Sequence, residues 1–215
     1  MSNKRLKIEV PKNPTDVPII DLTFELNNER FFSACKVEEC EVKNKSEDRL
    51  IFDKMIFSQV TFEKVSFRNV EFTDVLFEKC DLSNVDFSDA IMHRVMMNDS
   101  KMVGANFSGA TLRNVVFESC LAIYAAFGFS NCKQVGFRNS FLINTDFYES
   151  TLKEFEFDLC NLEQANLART KLKGIDFSTC TFERLTISFE QLTGCTVSFE
   201  QAIGFAKALG LIVKD

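Results

Sequence analysis

Several features that mark membrane proteins, secreted proteins and nucleic-acid binders are missing from this sequence. No stretch approaches 18 consecutive apolar residues, and the first residues lack the apolar core of a signal peptide. The 215 residues carry 31 acidic and 25 basic side chains, a net charge of −6. Non-specific nucleic-acid binding needs a basic footprint. We therefore expect a cytoplasmic protein that neither spans a membrane nor binds nucleic acid directly.

The residues that usually build catalytic and metal sites are also scarce. There is one histidine, His93, and no C-x-x-C pair, so the sequence offers no zinc site. The glycines form no phosphate-binding loop. Aspartates such as Asp81 and Asp146 each precede a large apolar residue, where an Asx side chain forms turns. We predict no catalytic residues, no metal, no cofactor and no enzymatic activity.

The eight cysteines follow the spacing of the chain instead of forming disulfide or metal patterns. Seven have numbers ending in 0 or 5, and the eighth is Cys132. Free cysteine packs as a small buried hydrophobe. We therefore predict free, buried thiols in a reducing compartment.

Large apolar residues recur at every fifth position from Phe52 to Ile187, with only Ala122 and Cys132 small. Two positions before each lies a smaller, mostly apolar residue, such as Val60 or Ala105. A strict period of five fits neither an amphipathic helix nor an ordinary strand. It indicates a solenoid in which short units stack into one continuous core.

The repeated unit resembles the pentapeptide repeat family, whose consensus is A-(D/N)-L-x-x. The matching units include CDLSN (80–84), ANFSG (105–109), TDFYE (145–149) and IDFST (175–179), all in one register. The resemblance implies an all-β solenoid, a right-handed quadrilateral β-helix with four pentapeptides per coil. Residues 22–188 would then form about seven to eight coils of stacked repeats, ending in a short C-terminal helical cap.

The regions outside the regular array predict a leader and a cap. Residues 1–21 contain all three prolines and form an N-terminal leader. Residues 43–48 are polar where the repeat calls for apolar groups, which predicts a local loop. The motif SFEQ occurs at 188–191 and 198–201, and each copy is a capping-box pattern that starts a helix. Residues 189–215 would therefore contain capping helices and a dimerisation tail.

The stretch from residue 174 to 213 is similar to the end of Qnr-type pentapeptide repeat proteins, particularly the loopless chromosomal kind of Gram-positive bacteria. That resemblance implies binding to the type II topoisomerases DNA gyrase and topoisomerase IV, by DNA mimicry, and their protection from fluoroquinolones. The alternative is a structural or adaptor repeat protein with an unrelated protein partner, because fold alone does not fix function.

Three groups of residues are the candidate contact sites. The acidic face that would imitate DNA consists of Glu78, Asp99, Glu118, Glu156, Asp158 and Asp176. An apolar patch in outward positions consists of Leu121, Ile123, Tyr124, Phe141 and Ile143. A homodimer would form through Phe199, Ile203, Ala206, Leu209, Leu211, Ile212 and Val213.

Overall fold

The structure is a computed structural model that describes residues 5–26 and 28–214. The first four residues of the predicted leader, Asn27 and the last residue of the predicted tail lie outside the described residues. The chain coils into a parallel β-solenoid in which residues 20 positions apart pair in register, as Phe32 does with Phe52 and Phe52 with Phe72. The predicted all-β solenoid is confirmed.

Each early pentad forms its own short strand, and later pentads merge in pairs. The three-residue strands are β1 (Phe31–Ser33), β2 (Lys36–Glu38), β3 (Glu41–Lys43), β4 (Ser46–Asp48), β5 (Ile51–Asp53), β6 (Ile56–Ser58), β7 (Thr61–Glu63) and β8 (Ser66–Arg68). The eight-residue strands are β9 (Glu71–Glu78), β10 (Ile91–Asn98), β11 (Thr111–Glu118), β12 (Asn131–Arg138) and β13 (Thr151–Asp158). The chain makes about six turns of parallel strands.

Four faces follow from the pairing. Face 1 contains β1, β5 and the first halves of β9 to β13, and face 2 contains β2, β6 and their second halves. Face 3 begins with β3 and β7 and continues as isolated bridges such as Leu121 with Phe141. Face 4 begins with β4 and β8 and continues in the same way, as Ala126 with Asp146.

The inward side chains stack from coil to coil. The rings of Phe117 and Phe137 lie 4.3 Å apart between centroids, and those of Phe107 and Phe127 lie 4.8 Å apart. These stacked rings confirm the aromatic core that the five-residue period predicts. All eight cysteines are free, as predicted, and five of them are buried.

The N-terminal end of the core is closed by a short helix. Helix α1 (Leu22–Glu25) forms where the sequence predicted the first stacked repeats, and Leu22 and Leu26 are fully buried. The loop predicted at residues 43–48 is wrong, because β3 and β4 continue the coil there. The polar Glu47 is accommodated in an inward position because Arg30 pairs with it at 2.9 Å.

At the C-terminal end the coil continues past residue 188, where the first SFEQ motif predicts a helix. Residues Phe189–Leu192 form a short 3₁₀ helix within the path of the coil. The coil pairing continues beyond it, since Asp176 still bridges Thr196. Ser188 makes no cap to this turn, since its hydroxyl accepts from the backbone of Arg169. The second motif behaves as predicted: Ser198 and Gln201 form a capping box at the start of α2 (Phe199–Ala208).

Candidate protein-binding surface

The outward surface of each coil is set by its corner turns. The Asp81 carboxylate accepts from the Ser83 backbone N–H at 3.0 Å, and Asp146 does the same for Tyr148. The predicted turn-forming role of these carboxylates is confirmed. Because the turns repeat in register, side chains in one outward position form straight rows along the rod.

One such set of rows carries the predicted apolar patch, the five residues Leu121, Ile123, Tyr124, Phe141 and Ile143. Leu121 and Phe141 bridge neighbouring coils on face 3. Tyr124 is 63% exposed and Phe141 52% exposed, and the other three are half-buried. The structure therefore brings the five residues together on adjacent coils. Large contiguous apolar surfaces on soluble proteins mark contact sites.

The apolar surface extends round the corner onto face 4. Phe129 is 62% exposed, and its ring meets that of Tyr148 edge to face at 5.6 Å. The Arg169 guanidinium lies 5.7 Å above the Tyr148 ring, a cation–π contact at the edge of the surface.

The leader lies along the opposite edge of the rod, between faces 1 and 2. Its backbone N–H groups donate to side chains of every second coil. Leu6 donates to Glu156 at 2.7 Å, Glu9 to Asn114 at 3.2 Å and Lys12 to Asp74 at 2.9 Å. The leader thus runs back along the stack, and it leaves the apolar patch open. This course could not be predicted from the sequence, because the leader has no repeat phase and many of its contacts use backbone groups.

The leader changes the predicted acidic face, which lies on face 2. Glu156 pairs with Arg138 at 2.6 Å and accepts from Leu6, so its charge is neutralised. Arg5 reaches Glu118 at 3.5 Å and Asp158 at 3.8 Å.

The remaining three acidic residues of that face differ in their exposure. Glu78 and Asp99 are exposed, while Asp176 is half-buried and accepts from the Ser178 backbone. The structure therefore does not present the six carboxylates as one continuous open acidic strip. The leader supplies the basic group and the backbone donors that interrupt it.

A buried ion pair anchors the leader on face 1. Arg94 binds Asp74 through two hydrogen bonds of 2.6 and 2.7 Å. The Arg94 guanidinium holds the pKa of Asp74 below its usual range. His93 is half-buried beside this pair, with Arg94 Nη1 2.9 Å from its Nε2. It therefore lies against the Asp74–Arg94 pair that binds the leader.

The C-terminal end combines a satisfied cap with an exposed apolar tail. The Gln201 amide donates to the carbonyls of Phe177 and Cys180, both at 2.9 Å, and so closes the last coil. Five of the seven predicted dimerisation residues are exposed, namely Phe199, Leu209, Leu211, Ile212 and Val213, while Ile203 and Ala206 are half-buried. The role of Gln201 was not predicted beyond its capping box.

Two further features concern ligands and membranes. Across residues 5–26 and 28–214, no three His, Cys, Asp or Glu side chains are grouped so that they could hold a metal ion. Within the same ranges no helix is long and apolar enough to cross a membrane.

Comparisons with known proteins give the same repeat architecture. A family model described as a pentapeptide repeat region matches residues 70–142, and one described as pentapeptide repeats (8 copies) matches residues 160–198. No curated protein sequence matches the chain.

Two of the similar solved structures have low sequence identity to this chain. A trypsin-treated form of QnrB1, a plasmid-mediated fluoroquinolone resistance protein, is 15% identical, with 84% of this chain and 100% of that chain covered and a TM-score of 0.43. HetL of the cyanobacterium Nostoc sp. strain PCC 7120, involved in regulating heterocyst differentiation, is 14% identical, with 82% and 94% covered and a TM-score of 0.36. With the two family models matching in register with the observed coils, the chain belongs to the pentapeptide repeat family.

Proposed function

We propose that this protein is a non-enzymatic binding protein whose partner is a type II topoisomerase, DNA gyrase or topoisomerase IV, and that it protects this enzyme from fluoroquinolones. The observation that carries the binding function is the open apolar patch on face 3. The choice of topoisomerase rests on the similarity of residues 174–213 to Qnr-type proteins, and the function follows from a surface, since the fold by itself specifies none.

The patch has the character of a protein contact. Tyr124, Phe129 and Phe141 are large, rigid side chains more than half exposed. Buried aromatic side chains contribute much of the binding energy at protein interfaces. The leader does not cover the patch, because it lies on the opposite edge of the rod. A partner can therefore reach the patch without displacing part of this chain.

In this proposal a few exposed acidic groups imitate DNA, in place of a complete acidic face. Glu78 and Asp99 are exposed on face 2, and Asp89 is exposed on face 4. A basic DNA-binding channel attracts such groups over several ångströms. Because Arg5 and Arg138 neutralise the carboxylates between them, the apolar patch supplies most of the contact in our proposal.

A homodimer through the C-terminal tail would match the two-fold symmetry of the enzyme. Leu211, Ile212 and Val213 are exposed apolar residues at one end of the rod. A two-fold contact there buries the same residues from both chains and extends the rod to twice its length. The two apolar patches would then be related by the dimer axis.

A direct binding measurement tests the proposal. Purified gyrase and topoisomerase IV are immobilised, and the affinity is compared for the wild type, a Tyr124→Ser, Phe141→Ser double variant and a Phe31→Ser control. Phe31 is a matched control because it is 57% exposed in the same outward position, but on face 1. We expect the double variant to bind at least tenfold more weakly and the control to bind like wild type.

The adaptor alternative uses the same patch with an unrelated partner. Wild-type protein that binds neither topoisomerase at micromolar concentration would exclude the proposal in favour of that alternative. Equal binding by the double variant and the wild type would show that another surface makes the contact.

A further inference from the structure

One column of inward residues contains most of the buried cysteines. The residues that follow one another in this column are Cys80, Ser100, Cys120, Ser140, Cys160 and Cys180. Serine separates the first cysteines of the column, so they lie two coils apart. Cys160 and Cys180 alone among the eight cysteines are 20 residues apart, and therefore occupy neighbouring coils.

Backbone pairing stacks these two cysteines directly. The Thr181 N–H donates to the Cys160 carbonyl at 2.9 Å, and the Leu162 N–H donates to the Thr181 carbonyl at 2.9 Å. Paired parallel segments lie about 4.8 Å apart, within the roughly 4.4–6.8 Å between Cα atoms that a disulfide requires. Both thiols are free, and they point the same way: the Cys160 thiol donates to the Phe137 carbonyl at 3.3 Å, and the Cys180 thiol donates to the Phe157 carbonyl one coil further on at 3.6 Å.

One member of the pair, Cys180, also borders the surface. Cys180 belongs to the last complete coil and borders an open surface cavity of about 580 Å³, together with Ser198 and Gln201. By contrast, Cys80 and Cys120 lie in the interior, where burial raises their pKa to about 11 and about 12. The neighbouring Cys160 thiol lowers the pKa of Cys180. Thiolates are the reactive form of cysteine.

We propose that Cys160 and Cys180 are a redox-sensitive modification site, at which hydrogen peroxide converts the two stacked thiols into an inter-coil disulfide. The Cys180 thiolate attacks one peroxide oxygen, the O–O bond breaks, and a sulfenic acid forms as water leaves. The Cys160 sulfur then attacks the sulfenic sulfur and releases a second water. In total two thiols and one peroxide give one disulfide and two waters.

The disulfide would stabilise the end of the rod that holds the cap. Gln201 binds the carbonyl of Cys180 itself, so the oxidised pair would fasten the last coil and α2 to the coil below. A covalent link restricts the unfolded chain and resists local opening. We expect slower hydrogen exchange across residues 174–197 after oxidation and a higher midpoint of thermal unfolding.

The test treats the folded full-length protein with hydrogen peroxide and then counts thiols after denaturation. We expect the count to fall from eight to six. Trypsin cleaves after Lys153, Arg169, Lys173 and Arg184, so a non-reducing digest should contain peptides 154–169 and 174–184 joined by a disulfide. Reduction should separate them and restore all eight thiols.

Serine variants provide matched controls, because Ser100 and Ser140 show that the column accepts serine. Cys160→Ser and Cys180→Ser should each abolish the linked peptides, and Cys120→Ser should leave them unchanged. The proposal is overturned if folded protein keeps eight thiols, if Cys180 is overoxidised without a link, or if the link joins other cysteines or two chains.

Discussion

Asp74 is the most deeply buried carboxylate of the described residues. It binds both a side chain of the solenoid and the backbone of the leader. It accepts two hydrogen bonds from Arg94 and one from the Lys12 backbone. Removing one partner of a buried pair costs about 3–5 kcal/mol, because the other charge is left without compensation. This residue therefore links the pH of the solution to the attachment of the leader.

Replacing Asp74 by Asn should lower the free energy of unfolding by about 3 kcal/mol at pH 7. Folding lowers the pKa of Asp74, so its carboxylate stabilises the fold above the unfolded pKa of about 4. That contribution is lost as the pH falls through the lower folded pKa. Urea unfolding at several pH values should show the gap between wild type and variant closing in acid.

The exposed Asp99→Asn variant is the control, and it should unfold like wild type throughout this range. A gap for Asp74→Asn that is equally large at pH 7 and at pH 2.5 would contradict the assigned ion pair.

Phe117 shows how strongly the core depends on single rings. It is fully buried and stacks on Phe137 with 4.3 Å between ring centroids. Phe117→Ala should cost about 3–5 kcal/mol in unfolding free energy, since the rigid coil cannot close the cavity. Phe129→Ala, on the surface, should cost far less. Chemical denaturation measures both, and equal losses would argue against the assigned interior.

At the scale of elements, the leader is the part that most alters the surface. It crosses the coils through backbone hydrogen bonds to Asp74, Asn114 and Glu156. Ile8 fits over Gly136, where an added Cβ would lie 3.0 Å from Ile8 Cδ1 and 3.0 Å from Glu156 Oε1. A glycine at this position thus makes room for the leader.

Gly136→Val should weaken leader docking by about 1–3 kcal/mol through overpacking, while the coil itself accepts valine, as Val116 shows one coil below. Tryptic cleavage after Lys7 and Lys12 should become faster. Ala126→Val, in the same outward position on face 4, is the control and should not change the cleavage rate. A variant leader as resistant as wild type would contradict the docked position.

The repeat could be predicted from sequence because each inward position carries the same type of residue in one phase. Phe52 to Ile187 fix the coil, the core and the free cysteines in this way. The course of the leader could not be predicted, since it is held largely by main-chain donors, which leave no pattern in the sequence. The motif SFEQ at 188–191 does start a helix, but only a short 3₁₀ helix without the predicted cap, because Leu192 and Val197 keep the pentad phase and pack against the core.

The candidate surfaces could be predicted only in part. The positions of Tyr124 and Phe141 in the five-residue repeat are enough to place both side chains on one face, because the regular coil determines which positions share a face. The repeat could not show whether the carboxylates of the acidic face are free. The groups that bind two of them, the Arg5 guanidinium and the Leu6 backbone N–H, come from a segment more than 100 residues away in sequence.

On the whole molecule, three surfaces differ in whether another part of the chain covers them. The leader covers the edge between faces 1 and 2, faces 3 and 4 present the apolar patch, and the C-terminal end presents an apolar tail. Gln201 satisfies the carbonyls of the last coil, so the open backbone edge that would invite uncontrolled stacking is closed there. Self-association should therefore depend on the tail.

The double variant Ile212→Asp, Val213→Asp should convert a dimer into a monomer in light scattering, because charge replaces apolar contact. Ile212 is 89% exposed in the single chain, so the monomer should keep its fold and its unfolding midpoint. The cap helix remains intact in this variant. A mass that matches the wild-type protein would contradict dimerisation through the tail.

In our proposal the apolar patch binds a type II topoisomerase, and this binding protects the enzyme from fluoroquinolones. The most direct measurement is DNA supercoiling by gyrase in the presence of a fluoroquinolone, with increasing amounts of this protein. We predict that wild type and Phe31→Ser restore supercoiling, while the Tyr124→Ser, Phe141→Ser variant does not. No recovery with wild type at any concentration, or equal recovery with the patch variant, would contradict the claim.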